Sequence, residues 1–237
     1  MALLETVKVG YWDCRGLVHP IILMLEYLEK PYEFQTPSPD LIGPAPTYDK
    51  ELWYQAKATL LSGYNFPNLP YYHDPNLGLK ITHSSAIIMH LARTHGLWPT
   101  QEEAIEADML REELKDLVSA TTGLCYDGHL TSKQINQYIE DTKGRLELLN
   151  NMLQPHQSWF LSDLSYIDFL AYDILDHQRI LFPDILDHKV DRLKVFMERF
   201  ESLATISNFM KSPRYRKFPL WSERSFLGRD ENQLPKL

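Results

Sequence analysis

The sequence predicts a small mixed α/β domain with the element order βαβαββα, followed by an all-helical domain. Strand-like alternation and helical periodicity interchange over roughly the first 80 residues, whereas only helical periodicity is found from about residue 100 to residue 211. Residues 96–99 (GLWP) interrupt both patterns. We therefore expect domains at residues 1–95 and 101–226, a linker at residues 96–100, and a polar, poorly ordered tail at residues 227–237.

The composition and charge of the chain argue against several classes of protein. The 237 residues carry a net charge of −8, whereas a general nucleic-acid binder needs a basic face. No apolar run approaches the roughly 18 residues of a membrane span, and residues 2–4 (ALL) are too short for a secretory signal. The 2 cysteines and 9 histidines show no disulfide or metal-ligand spacing. We expect a cytoplasmic protein that has no metal and binds neither nucleic acid nor membranes.

The first strand and the first helix are joined by a distinctive turn. Residues 7–9 (VKV) alternate like a strand, and apolar residues recur at helical spacing from residue 18 to residue 28. Pro20 lies in the first helical turn, where proline is tolerated. Residues 10–16 (GYWDCRG) form the turn between them. Such a turn presents backbone N–H groups and the positive end of a helix dipole, so it favours an anion.

Local patterns predict the rest of the first domain. Residues 32–36 form a second strand parallel to the first, and residues 48–60 form a helix with Trp53 and Lys57 on one face. A hairpin turns at residues 74–76 (DPN) and returns through residues 79–82. Pro70, at the start of this hairpin, fits a cis peptide bond. Residues 83–85 (HSS) cap the last helix, which ends near residue 96.

The second domain contains only helix signals. Thr100 and Glu103 have the spacing of a capping box and open a helix that runs to about Thr122. Ser165 and Asp168 have the same spacing, which we interpret as purely structural. The other predicted helices span residues 132–153, 166–181, 187–200 and 202–211.

Several segments together resemble the mu class of cytosolic glutathione transferases. They are residues 10–27 (GYWDCRGLVHPIILMLEY), 42–53 (IGPAPTYDKELW), 66–71 (FPNLPY), 80–93, 124–126 (LCY) and 166–176 (YIDFLAYDILD). The most specific parts are GYWDxRG and FPNLPY. The resemblance implies a thioredoxin-like first domain that binds glutathione and a helical domain that supplies most of the electrophile pocket. It also implies a homodimeric enzyme that joins the glutathione thiolate to small apolar electrophiles, with glutathione as co-substrate and without a cofactor.

The resemblance assigns roles to individual residues. Tyr11 is implied to be catalytic, because its hydroxyl donates a hydrogen bond to the thiolate; such a bond is worth roughly 1.5 to 3 kcal/mol, or one to two pKa units. The residues implied to bind glutathione are Tyr11, Trp12, Leu17, Lys50, Trp53, Lys57, Asn68, Leu69, Pro70, His83 and Ser84, with Asp116 reaching across the dimer. The residues implied to form the electrophile site are Cys14, Leu17, Ser119, Thr122 and Tyr126, and the implied dimer contact is Phe66.

The chain departs from the mu pattern at several positions. His83 stands where the family has glutamine, and an imidazole changes charge near neutral pH. About two extra residues lie between Lys57 and Phe66, and Cys14 replaces an aliphatic residue. The electrophile wall of the helical domain is less apolar than in the family, at residues 115, 118, 119 and 122, so substrate preference is not carried over.

Two alternatives remain open from the sequence. In the first, the chain is a redox enzyme whose nucleophile is Cys14, because a thiol at a helix N-terminus can have a lowered pKa. No second cysteine lies close to it in the sequence. In the second, a catalytically weak transferase fold binds apolar ligands or has a structural role, because a fold does not fix a function.

Overall fold

The computed structural model describes residues 5–42, 50–187 and 189–235. The first domain is built on a four-stranded sheet, whose strands are β1 (Val7–Gly10), β2 (Tyr32–Gln35), β3 (Tyr71–Asp74) and β4 (Leu79–Thr82), in the spatial order β2-β1-β3-β4. β1 and β2 are parallel, whereas β3 is antiparallel to both β1 and β4. A parallel pair needs a crossover connection, and a helix supplies it here.

Three helices complete this domain: α1 (His19–Tyr27), α2 (Lys50–Leu60) and α3 (Ser84–Thr94). The predicted order βαβαββα is confirmed. Pro20 lies in the first turn of α1, and the peptide bond before Pro70 is cis, as the sequence predicts. The hairpin also has the predicted turn, in which the Asp74 carboxylate accepts the Asn76 backbone N–H at 3.0 Å.

The second domain consists of helices, with α6 at its centre. The helices are α4 (Ala104–Tyr126), α5 (Ser132–Met152), α6 (Tyr166–Leu181), α7 (Asp191–Ser202) and α8 (Ala204–Met210). Almost all side chains of α6 are buried, and this helix packs on α1 and α3 of the first domain and on α4 and α7 of its own. Ser165 and Asp168 form the predicted capping box at its start. The Asp168 carboxylate accepts the backbone N–H groups of Ser165 at 2.8 Å and Phe160 at 3.0 Å.

The start of α4 corrects a prediction. The Thr100 backbone N–H and hydroxyl both donate to the Glu103 carboxylate, at 3.1 and 2.8 Å. The Glu103 N–H donates to the Thr100 backbone carbonyl at 3.2 Å and not to the Thr100 hydroxyl. Only half of the predicted capping box therefore forms, and α4 begins at Ala104. The helix also continues to Tyr126, beyond the predicted end at Thr122.

Two other helix starts differ from the prediction in detail. The helix expected from Asp187 begins at Asp191, because Lys189 has a φ of +57°, which a right-handed helix excludes. His83 occupies the N-cap position of α3, but its side chain makes no capping hydrogen bond, since its backbone is held at φ +68°. The predicted cap at α3 is therefore not formed by this side chain.

The described part of the tail makes hydrogen bonds and an ion pair with the residues before it. The Gly228 N–H donates to Gln233 at 2.7 Å, and the Leu220 N–H donates to Gly228 at 2.8 Å. Lys217 pairs with Glu231 at 3.0 Å. These bonds attach residues 228–233 to the segment that follows α8 (residues 211–227). Over the described ranges, no helix is both long enough and apolar enough to cross a membrane.

Candidate active site

The β1–α1 turn (residues 11–18) carries Tyr11 at its start. Tyr11 follows directly on β1, and its backbone N–H donates to the Gln35 carbonyl at 3.1 Å, which extends the pairing with β2. Its side chain is 8% exposed, and its hydroxyl oxygen accepts the Leu17 backbone N–H at 3.2 Å. The sheet thus fixes the backbone of Tyr11, and the turn fixes its hydroxyl.

Gly16 allows the Tyr11 ring to take this position. Its φ is +44°, and a Cβ at this residue would lie 2.5 Å from a ring carbon of Tyr11 and 2.7 Å from the hydroxyl oxygen. Any larger residue would therefore displace the ring as well as strain the backbone.

A cleft of about 370 Å³ opens beside Tyr11, between the two domains. It brings together four of the residues implied for the electrophile site, namely Cys14, Leu17, Thr122 and Tyr126. Ser119, the fifth, is exposed on α4 and does not line this cleft. Tyr126 is 47% exposed, and its hydroxyl lies 3.5 Å from the Trp221 carbonyl.

Trp12 lies between the cleft and α2. Its ring packs edge-on against Trp53, with 5.1 Å between centroids, and Trp53 itself is buried. On the same helix, the Lys57 ammonium lies 4.7 Å from the centroid of the Tyr54 ring. The side chain of Lys50 lies outside the described part of the chain. Trp12 thus connects the turn to α2, which carries both Trp53 and Lys57.

The other implied glutathione residues follow the sheet. Leu69 and Pro70 are buried immediately before β3, while Asn68 is exposed beside them. Ser84, in the first turn of α3, lines a small interdomain cavity of about 80 Å³ together with Leu17. These residues lie where the sheet and α3 meet the β1–α1 turn.

The residues implied to contact the partner subunit are exposed. Phe66 is 70% exposed, and the centroid of its ring lies 6.2 Å from the centroid of the His83 ring. His83 is also exposed. Asp116 is exposed on α4. The chain therefore presents these side chains at its surface rather than in its own cleft.

Sequence reasoning missed the segment after α8. Trp221, Ser222, Glu223 and Arg224 line the cleft, as do Asp13, Thr36 and Pro37. The segment is attached to the β1–α1 turn, because the Arg15 and Gly16 N–H groups donate to the Pro219 and Leu220 carbonyls at 2.9 and 2.7 Å. The apolar residues 218–221 (FPLW) were its only sequence signal, and such a signal does not identify a distant partner.

Cys14 is a poor candidate for a nucleophile. Burial raises the pKa of its thiol to about 12, and the nearby Arg216 offsets this only in part. The thiol is therefore protonated at neutral pH, and the thiolate is the reactive form. The position of Cys14 does not support the redox alternative. Among the described residues, no group of three or more His, Cys, Asp or Glu side chains is arranged to hold a metal ion.

Comparison with known proteins identifies the family. A family model described as "Glutathione S-transferase, C-terminal domain" matches residues 115–213. The chain is 41% identical to "Glutathione S-transferase 2" of Gallus gallus over 217 residues, which cover 91% of this chain and 94% of that one. It is 40% identical to "Glutathione S-transferase Mu 2" of Mus musculus over 222 residues, which cover 93% and 97% of the two chains.

Solved structures agree with this assignment. The "Pi-class Glutathione S-transferase" of Onchocerca volvulus superposes with a TM-score of 0.76 at 26% identity, over 93% of this chain and 100% of that chain. The "gluthatione S-transferase Blo t 8" superposes with a TM-score of 0.73 at 30% identity, over 93% and 99% of the two chains. With mu-class relatives at about 40% identity over more than nine-tenths of its length, this chain belongs to the glutathione S-transferase family, in the mu class.

Proposed function

We propose that this protein joins the thiolate of glutathione to small apolar electrophiles, with Tyr11 as the catalytic residue. The observation that carries the proposal is the position of the Tyr11 hydroxyl, which lies at the cleft and accepts the Leu17 backbone N–H at 3.2 Å. Glutathione is the co-substrate, and the reaction needs no cofactor or metal.

The hydroxyl of Tyr11 stabilises the thiolate by hydrogen bonding. A hydroxyl that accepts one hydrogen bond becomes a stronger donor in another, because the bonds polarise each other. A bond from this donor to the glutathione sulfur favours the ionised form by roughly 1.5 to 3 kcal/mol. At neutral pH an unassisted thiol is only a few per cent ionised, so this bond makes most of the bound glutathione reactive.

The rest of glutathione binds along the first domain. Trp12, Trp53 and Lys57 hold the glycine end, where the Lys57 ammonium pairs with the carboxylate. Asn68 and Leu69 contact the cysteinyl part as an added strand would. The γ-glutamyl carboxylate lies at the N-terminus of α3, near His83 and Ser84, where the helix dipole favours an anion.

The electrophile occupies the cleft beside the sulfur. Leu17, Cys14 and Trp221 supply apolar contact, and Tyr126 donates a hydrogen bond to negative charge that develops during attack. The geometry and the comparisons offer no observation that favours the alternative of a catalytically weak binding protein.

We also propose that the enzyme is a cytoplasmic homodimer. Phe66 is a large apolar side chain that is 70% exposed, and a partner subunit would bury it. In such a dimer Asp116 pairs with the ammonium of the glutathione bound by the other subunit. Sedimentation of the Phe66→Ser variant tests the assembly: a shift to monomers supports it, and a parent protein that is already monomeric contradicts it.

The Tyr11→Phe variant tests the catalytic proposal. Retention on immobilised glutathione should be nearly unchanged, because only the bond to sulfur is lost. Conjugation of 1-chloro-2,4-dinitrobenzene should require a pH that is higher by about one to two units. An unchanged pH–rate profile would remove Tyr11 from the catalytic role, and a parent protein that neither binds glutathione nor turns over would contradict the function.

A further inference from the structure

Residues 66–70 (FPNLP), which we call the FPNLP segment, lie between α2 and β3. The proposed function places two of them, Asn68 and Leu69, against the cysteinyl part of glutathione. Pro67 and Pro70 have no backbone N–H, so the segment can donate few backbone hydrogen bonds. Over the described part of the chain, none of the backbone hydrogen bonds outside helices and strands involves these residues. The position of the segment therefore depends on side chains and on the strand that follows it.

Thr82, the last residue of β4, is attached to both ends of the FPNLP segment. Its hydroxyl donates to the Phe66 carbonyl at 2.7 Å, and its backbone stands opposite Tyr71 in the β3–β4 ladder. Thr82 is 7% exposed, and a hydrogen bond that is shielded from water is stronger than one in solvent. The segment is thus a loop that is closed at a single residue of the sheet.

Lys80, two residues earlier in β4, holds the chain just before the segment. Side chains two residues apart in a strand point to the same face of the sheet. The Lys80 ammonium donates to the Ser62 carbonyl at 3.2 Å and lies 5.3 Å from the centroid of the Tyr64 ring. The centroid of the Tyr64 ring lies 5.5 Å from that of Tyr71. The region that carries the extra residues is therefore held by the same strand as the FPNLP segment.

Thr82 also connects the two halves of the proposed glutathione site. It directly precedes His83 and Ser84, which the proposed function places at the γ-glutamyl end, while the carbonyl that it binds belongs to the segment at the cysteinyl part. Tyr11, by contrast, is held by the pairing with β2 and by the Leu17 N–H. Thr82 is therefore placed to fix the distance between two groups of binding residues without contacting the catalytic hydroxyl.

We propose that β4 positions the FPNLP segment for glutathione, with Thr82 as the main positioning residue and Lys80 as a second one. The inference rests on the proposed function, because it concerns the same glutathione site. While the hydroxyl bond holds the segment, Asn68 and Leu69 stay at a fixed distance from the start of α3, so glutathione has little conformational freedom to remove when it binds. Loss of this bond lowers the affinity for glutathione and leaves the chemistry of bound glutathione unchanged.

Thr82→Val removes the hydroxyl and keeps the shape of the side chain. We expect the KM for glutathione to rise roughly fivefold, while kcat for 1-chloro-2,4-dinitrobenzene stays within about twofold of the parent, because only uniform binding is lost. Thr82→Ser keeps the hydroxyl and should restore the parent KM. The matched control is Thr94→Val, since the Thr94 hydroxyl donates to the His90 carbonyl at 2.9 Å, near the other end of α3; its KM should be unchanged.

Lys80→Met is the second variant, in which the KM should rise about twofold to threefold because one hydrogen bond to the chain before the segment is lost. Lys80 is exposed, so this variant decides the proposal even if Thr82→Val does not fold. A KM equal to that of the parent in every variant that folds would overturn the proposal. A fall in kcat at unchanged KM would also overturn it, because that result indicates a loss of folded enzyme.

Cleavage by chymotrypsin after Tyr64 gives a readout that needs no glutathione. Cleavage should be several-fold faster in Thr82→Val and in Lys80→Met than in the parent and in Thr94→Val, because its rate follows the population of the locally opened chain. A parent protein that does not bind glutathione would contradict the proposed function. Faster cleavage in the two variants would still support the role of β4 in that case, and unchanged cleavage would overturn it.

Discussion

Arg15 in the β1–α1 turn and Asp176 in α6 form an ion pair across the two domains, with Nη1 2.7 Å from Oδ2 and side-chain exposures of 0% and 4%. Asp173, one turn earlier on α6, accepts from the other terminal nitrogen of Arg15 at 2.7 Å. Burial by itself raises the pKa of both carboxylates, but their neighbours hold it below the usual range: His177 and Arg15 for Asp173, and Arg15 and Arg179 for Asp176. The turn that carries Tyr11 is therefore held by charge to the central helix of the second domain.

Asp176→Ala should lower the free energy of unfolding by about 3 to 5 kcal/mol, because it leaves a buried charge short of a partner. Urea denaturation at neutral pH measures the loss. The matched control is Asp187→Ala, which removes an exposed pair with Lys194 at 3.0 Å and should cost about 1 kcal/mol or less. Equal losses of unfolding free energy in the two variants would show that the interdomain pair stabilises the fold no more than an exposed pair does.

Glu103 should make stability depend on pH in the acid range. The Ser162 backbone N–H donates to its carboxylate at 2.8 Å, and this bond with those from Thr100 lowers the pKa of Glu103 to about 2. Because this folded-state pKa lies below the usual value of 4.5, the stabilisation is complete at higher pH and is lost as pH falls from about 4.5 to about 2. The difference in unfolding free energy between the parent and Glu103→Gln should shrink over this range, and a constant difference would refute the assignment.

Gly16→Ala should damage catalysis more than folding. A methyl group 2.5 Å from a Tyr11 ring carbon must displace the ring, and the φ of +44° adds strain of roughly 1 to 3 kcal/mol. We expect kcat/KM for conjugation to fall by about tenfold or more. Gly144→Ala in α5 is the matched control, since its Cβ would meet nothing within 4 Å and a helix favours alanine. Full activity in Gly16→Ala would show that Tyr11 does not need this position.

Local chemistry determined which parts of the structure the sequence could predict. The strand-to-helix turn at residues 10–16, the cis bond before Pro70 and the Ser165–Asp168 box depend on near neighbours, and each is observed. Local bonds that compete with one another are harder to predict: the Glu103 N–H donates to the Thr100 backbone carbonyl, whereas a capping box needs it to donate to the Thr100 hydroxyl.

Long-range contacts were beyond sequence reasoning. Trp221 is separated from Tyr11 by most of the chain, yet both line the cleft. The reactivity of Cys14 was also beyond local reasoning. Its position in a turn before a helix predicts a reactive thiol, whereas burial by distant residues raises the pKa of the thiol to about 12. The sequence therefore does not predict contacts and pKa values that depend on packing between distant residues.

The attachment of the segment after α8 bears on the order in which the parts of the site can form. The N–H groups of Arg15 and Gly16, in the first domain, are satisfied by the carbonyls of Pro219 and Leu220, which follow the last helix of the second domain. The backbone of the β1–α1 turn is therefore completed only once this segment has docked, however early the first domain folds.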